Sequence, residues 1–174
     1  MKSEIIFISG GVKSGKSAFA LQLGHEQYLR RAFIATATAL DDEMAAKIDA
    51  HKAERGQLWH TIEEPRDIAG ALERVASDFD VVIIDCLTLW VSNLLTLNTL
   101  TEKEIADEVD SLLRVLKKAQ CRVIIVTNEV GLGIMPAERL SRRYQNLLGM
   151  ANKRIAEVAN IVYMMISGIP VKIK

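Results

Sequence analysis

Cysteine is scarce: Cys86 and Cys121 are the only two in 174 residues. Each adjoins an apolar run rather than belonging to a spaced framework, so a small disulfide-stapled scaffold is excluded. Reduced, buried thiols are the expectation, with a single Cys86–Cys121 bridge as the alternative. An excess of one charge is lacking as well. Lysine plus arginine and aspartate plus glutamate both number 22, so no global field recruits nucleic acid or an anionic membrane, and only local basic patches stay open. Long hydrophobic runs are missing too. The first, Ile5-Ile6-Phe7-Ile8, is cut off by Ser9-Gly10, too short for a signal-peptide core, and no later stretch spans a bilayer. The expectation is a cytoplasmic protein without membrane insertion. There is no internal repeat or low-complexity tract, and this length is most simply one domain over residues 1–174.

What is present begins with Gly10-Gly11-Val12-Lys13-Ser14-Gly15-Lys16-Ser17, between an apolar run and a helix-compatible stretch. It fits the phosphate-binding pattern G-x-x-x-x-G-K-[ST]. Successive backbone N–H groups in a glycine-rich turn can point at a triphosphate without Cβ interference, and a helix N-terminus adds positive potential. In that arrangement Lys16 reaches the outer phosphates and the Ser17 hydroxyl binds the Mg2+ bridging them.

The rest of the chain alternates. Glu4–Ser9 reads as a strand buried on both faces, Lys16 to about Arg30 as a helix, and 32–37 as a second strand. Asp41-Asp42-Glu43 places acids at the start of a helix that Gly56 stops after Arg55. Residues 57–65 look extended but show no clear period, and 68–76 reads as a helix. Asp80 to Asp85 is a β-branched apolar strand ending in a carboxylate, the arrangement that holds magnesium through water in phosphate-loop proteins. The run Leu87 to Leu95 is apolar almost all round, hence a buried or subunit-facing helix. Thr101 with Glu104 forms a capping-box pattern opening a helix to about Gln120. Arg122–Thr127 is a strand ending at Asn128-Glu129, Pro136 suits the start of a helix to about Asn160, 161–166 is a strand, and 171–174 pairs beside it as an edge. The fold class is α/β: a P-loop NTPase (RecA-like), with a doubly wound, mostly parallel sheet flanked by helices.

Some residues admit two readings. Met44, Ile48, His51 and Arg55 share one helical face, and on spacing alone His51 reads as a packed histidine. Arg139, Arg142 and Arg143 form either a phosphate-facing patch or a solvated face. Asp41, Asp42 and Glu129 are strand-end carboxylates available as a base. A signalling GTPase would offer Asn-Lys-x-Asp, whereas the comparable strand end reads Asn128-Glu129-Val130-Gly131. The chain is too short for the extra domains of a mechanical ATPase. A small-molecule kinase is favoured, with a non-catalytic nucleotide sensor as the reading from a different class.

Beyond these motifs, the chain resembles the bifunctional adenosylcobinamide kinase/adenosylcobinamide-phosphate guanylyltransferase family from nearly end to end. The resemblance runs from Tyr28 to Thr36 into Leu40 to Ile48, then His51, Arg55, Trp59, Thr61 and Glu63. It continues through Asp85 to Leu95, Val126 to Pro136, and Ser167 to Lys174. It implies phosphorylation of adenosylcobinamide by ATP or GTP, then transfer of GMP from GTP onto that phosphate through a histidine-bound GMP. The matching histidine is His51, which reverses the packing reading, while His25 and His60 fall off the nucleophile position. The resemblance also implies that Lys52, Arg55 and Glu63 contact the guanine nucleotide, with Ala35, Thr36 and Ala37 in the same region, and that the chain forms a homotrimer. Lys13 departs from the usual arginine of the loop and Gly56 from the usual proline. Because the loop grips the phosphates that leave in guanylyl transfer, the 41–55 helix must sit over the strand ends or move there.

Overall fold

The computed structural model describes residues 4–39, 42, 45, 46, 48, 52, 53 and 56–174. Leu40, Asp41, Met44, His51 and Arg55 therefore lie outside the described residues.

Seven strands form one sheet: β1 (Glu4–Gly10), β2 (Arg31–Ala35), β3 (His60–Glu63), β4 (Val81–Asp85), β5 (Arg122–Val126), β6 (Ile161–Ile166) and β7 (Ile169–Lys172), in the spatial order β3-β2-β4-β5-β1-β6-β7. All pairings are parallel except β6 with β7. The interiors of the central strands are apolar because both faces are covered. One face, with Ile6, Ile8, Phe33, Ile83, Ile124 and Val126, packs under α1 (Lys16–Gln27). The other carries α2 (Ile68–Val75), α3 (Leu87–Thr96), α4 (Glu102–Lys118) and α5 (Arg139–Val158).

The extended reading of 57–65 holds only for the edge strand β3, whose one half-covered side chain is Ile62; Gly56–Leu58 instead form a 3-10 turn. An edge strand needs no strict alternation, hence the missing period. The apolar run 87–95 is α3, with Trp90, Val91 and Leu94 wholly inside the core and the Trp90 indole N–H donating to Arg66 O at 2.6 Å. Of the two alternatives for this helix, the buried one holds. The last long helix starts three residues after Pro136, at Arg139, and the Arg142 guanidinium donates to Pro136 O at 3.0 Å. The capping box forms: Thr101 Oγ1 accepts from the Glu104 N–H at 3.3 Å and Glu104 accepts from the Thr101 N–H at 2.8 Å. Both cysteines are free thiols. None of the described helices is long and apolar enough to cross a membrane.

Candidate functional site

β1 ends at the sheet centre and turns directly into α1. Gly10, at φ 151°, has no room for a side chain: a Cβ there would lie 2.6 Å from Met165 O and 2.8 Å from Ser14 Oγ. Gly15 takes φ 89° and Lys13 φ 56°, so the chain curls with its amides inward. The α1 N-terminus has no side-chain cap and no acid in its first turn, which leaves its N–H groups and its dipole for an anion. Gly168, in the β6–β7 turn, donates its N–H to Ser14 O at 3.2 Å and braces the loop from outside. Lys16 is 8% exposed, and its ammonium donates to Gly11 O at 2.5 Å. Burial draws this ammonium below the ordinary lysine range, while Cys86 and Asp85 pull the other way.

A cavity of about 530 Å³ opens over the strand ends. Val12, Lys13, Ser14, Gly15, Lys16 and Ser17 line one side. Asp85 and Cys86 at the end of β4, Ala35 at the end of β2 with Ala37 just beyond it, and Ile48 are among the residues that line the rest. Burial pushes the Cys86 thiol up to about 12, so it is a neutral wall rather than a nucleophile. Thr36 faces inward instead of into the cavity. Its hydroxyl donates to Cys86 O at 2.8 Å and accepts from the Cys86 N–H at 2.7 Å, clamping the ends of β2 and β4 together. Asn93 reinforces the clamp by donating to Thr36 O at 2.8 Å and to Pro65 O at 3.1 Å.

The other sequence-derived candidates separate. Glu63, at the end of β3, is ion-paired with Lys52 at 2.6 Å; both side chains are exposed and neither lines the cavity. Among the described residues of the 42–53 stretch, Asp42, Ala45, Ala46, Ile48, Lys52 and Ala53 have helical backbone. Glu129 is folded onto its own loop, with its carboxylate accepting from the Gly131 N–H at 3.3 Å. Arg143 pairs with Glu102 at 3.0 Å and Arg142 donates to Pro136 O in the loop before its helix, and neither arginine lines the cavity. His25 accepts from the Trp59 indole at 3.2 Å, and His60 stacks on Phe79 at 5.3 Å. Both are packing histidines.

Asn128, for which the sequence names no role of its own, also lines the cavity. The sequence marks Asn128-Glu129 as a strand end within the family resemblance, but only Glu129 is assigned a role there.

Among the described residues no cluster of three His, Cys, Asp or Glu side chains is built to hold a metal. One hydroxyl (Ser17) and one carboxylate (Asp85) facing the same cavity match what magnesium takes from a protein when nucleotide phosphates and water complete its shell. These residues fit the ion.

In overall shape the chain is similar to the crystal structure of the RadB recombinase, with a TM-score of 0.50 and 18% identity, covering 92% of this chain and 73% of that one. That likeness shows the P-loop NTPase fold. Three curated relatives align almost end to end. The bifunctional adenosylcobalamin biosynthesis protein CobP of Pseudomonas aeruginosa is 40% identical over 167 residues, 96% of this chain and 95% of that protein. The CobU proteins of Escherichia coli K12 and Salmonella typhimurium LT2, which carry the same description, are 36% and 37% identical, covering 98% of this chain and 99% of each. Residues 6–173 match a family described as cobinamide kinase/cobinamide phosphate guanyltransferase. With the phosphate loop, the β4 carboxylate and the cavity between them in place, the chain belongs to the cobinamide kinase/cobinamide phosphate guanyltransferase family.

Proposed function

We propose that this protein performs both family reactions at the one cavity. Adenosylcobinamide is first phosphorylated on its aminopropanol hydroxyl by ATP or GTP; GMP is then transferred from GTP onto that phosphate to give adenosylcobinamide-GDP. The observation that carries the reading is the position of Ile48. This residue of the 42–53 stretch lines the same cavity as Lys16, Ser17 and Asp85, which supports a nucleophile three positions further along the sequence acting at that cavity.

In the kinase step the loop amides and Lys16 hold the β- and γ-phosphates, and the γ-phosphoryl group moves to the substrate oxygen. Ser17 and Asp85 would hold Mg2+, which when bound neutralises charge on the phosphates. In the guanylyl step a neutral His51 imidazole nitrogen attacks the α-phosphorus, pyrophosphate leaves from the loop, and the cobinamide phosphate oxygen displaces His51. Lys52, Arg55 and Glu63 serve the guanine nucleotide: a carboxylate accepts from guanine N1 and N2 hydrogens, which adenine lacks. The Lys52 ion pair engages one Glu63 oxygen and leaves lone pairs on the carboxylate for the base. Assembly as a homotrimer belongs to the same proposal.

The test uses GTP labelled on the α-phosphate. Acid-labile, base-stable label is expected on the wild-type protein and is expected to vanish in His51→Ala. Label retained in His51→Ala overturns the assignment of the nucleophile. Phosphorylation of adenosylcobinamide without any protein label leaves a simple kinase.

A further inference from the structure

We propose that Asn128 contacts the reacting groups of the phosphoryl-transfer step, orienting the acceptor hydroxyl against the γ-phosphate, and takes no part in guanylyl transfer. The inference rests on the bifunctional reading above and adds a residue to it.

The placement follows from strand order. β5 lies between β1, which delivers the phosphate loop, and β4, which delivers Asp85; Val126 is in register with Ile8 on one side and Asp85 on the other. Successive residues at the end of β5 then diverge. Thr127 is fully buried toward α5, its hydroxyl donating to Asn152 Oδ1 at 2.9 Å. Asn128 instead lines the cavity with Lys16, Ser17, Asp85 and Val126. A side chain there stands between the loop that grips the outer phosphates and the carboxylate suited to their metal.

Its backbone is fixed on both sides. The Asn128 N–H donates to Thr88 Oγ1 at 2.7 Å, and Asn128 O accepts from Asn152 Nδ2 at 3.1 Å. Thr88 and Asn152 are in turn tied to Thr127, and the Tyr144 hydroxyl donates to Thr88 O at 3.2 Å. This network holds the backbone only. Among the described residues the Asn128 carboxamide has no hydrogen-bond partner, although its surroundings are arranged around it. A pinned residue with a free amide at a phosphate cavity is preorganised for a ligand.

The chemistry suits an amide. Oδ1 can accept from the attacking hydroxyl while Nδ2 donates to an equatorial oxygen of the γ-phosphoryl group. The hydroxyl oxygen forms its bond to the γ-phosphorus. The bond to the β,γ-bridging oxygen breaks, and its electron pair leaves on the nucleoside diphosphate. The hydroxyl proton departs on a phosphoryl oxygen and passes to water. In a loose transition state orientation matters more than proton removal, so a neutral amide suffices. His51 attacks the α-phosphorus, two phosphates away, where Asn128 has no reacting group to touch.

The experiment compares wild type, Asn128→Ala and Asn128→Asp in two assays: phosphate transfer from γ-labelled ATP to adenosylcobinamide, and protein labelling from α-labelled GTP. Asn128→Ala is expected to lower kcat for phosphorylation by about 100-fold while changing protein labelling by less than about 3-fold. The near-isosteric Asn128→Asp, which loses the donor and adds charge beside phosphate, should be at least as impaired; a packing role would instead be rescued by it. Equal losses in both assays, or a phosphorylation rate near wild type in either variant, overturn the inference. Wild type that phosphorylates but takes no label refutes the guanylyl reading, while the kinase assay still decides Asn128. Wild type inactive in both assays refutes both.

Discussion

Lys16 shows how one side chain is tuned by its surroundings. Its ammonium is nearly enclosed by its own loop, and burial moves its pKa below the ordinary lysine range despite Asp85 nearby. Only the protonated form attracts phosphate. Nucleotide affinity of the free protein is therefore expected to fall as pH rises through this lowered pKa, earlier than for an exposed lysine. Bound phosphate restores the charge, so the alkaline limb of kcat should lie above that of kcat/KM. The effect on folding has the opposite sign. Between the folded and unfolded pKa the unfolded chain binds more protons, so Lys16's contribution to stability rises with pH over the interval in which binding is lost. Isothermal titration with GTP across the alkaline range checks this, and Lys16→Met should remove the limb together with most of the binding. An affinity flat up to the ordinary lysine range would refute it.

At the scale of the element, α1 is more than the carrier of the loop. Its Gly24 faces Trp59, and a Cβ added there would lie 2.5 Å from the indole ring. Trp59 is 5% exposed, meets Phe33 edge-on at 6.2 Å and donates to His25, so it pins the approach to β3 onto α1 and β2. Gly24→Ala is a better helix former by propensity, yet the contact decides: overpacking here is expected to destabilise by about 1–3 kcal/mol, against about 1 kcal/mol gained from helix propensity. Thermal unfolding should show a lowered Tm, and the Trp59 emission should shift because the indole must move. An unchanged or raised Tm would show that Trp59 yields freely. Capping at α4 works differently. Thr101 and Glu104 satisfy each other within one turn, so that helix start needs nothing from the rest of the molecule.

For the whole molecule, the sheet brings the ends of β1, β2, β4 and β5 to one edge, the site proposed for both reactions. The strongly apolar α3 is used up inside the chain, packed among the sheet, Arg66 and its helical neighbours. Self-association, if trimeric as proposed, must therefore use other surfaces and survive changes to α3 that leave the fold intact. Light scattering coupled to gel filtration should give the mass of three chains, and a monomer throughout the micromolar range would refute the trimer.

The sequence alone determined whatever depends on neighbours along the chain. The phosphate loop is contiguous from Gly10 to Ser17, the β-branched run to Asp85 carries its own period and terminal acid, and the capping box spans four residues from Thr101 to Glu104. Their chemistry is local, and composition and order suffice to read it. The tertiary structure decided what depends on residues far apart meeting. Asn128 reaches the cavity only because β5 inserts between β1 and β4, and Thr88 and Asn152, 40 and 24 residues away, fix its backbone. Thr36 lies beside cavity-lining alanines yet turns inward, because Cys86, 50 residues on, offers its hydroxyl both a donor and an acceptor. Asn128 and Glu129 are neighbours past the end of β5, but the bonds from Thr88 and Asn152 hold one at the cavity while the bond from Gly131 holds the other on its own loop. A strand's direction is written in its residues, but its neighbours in the sheet are settled by packing across the whole core.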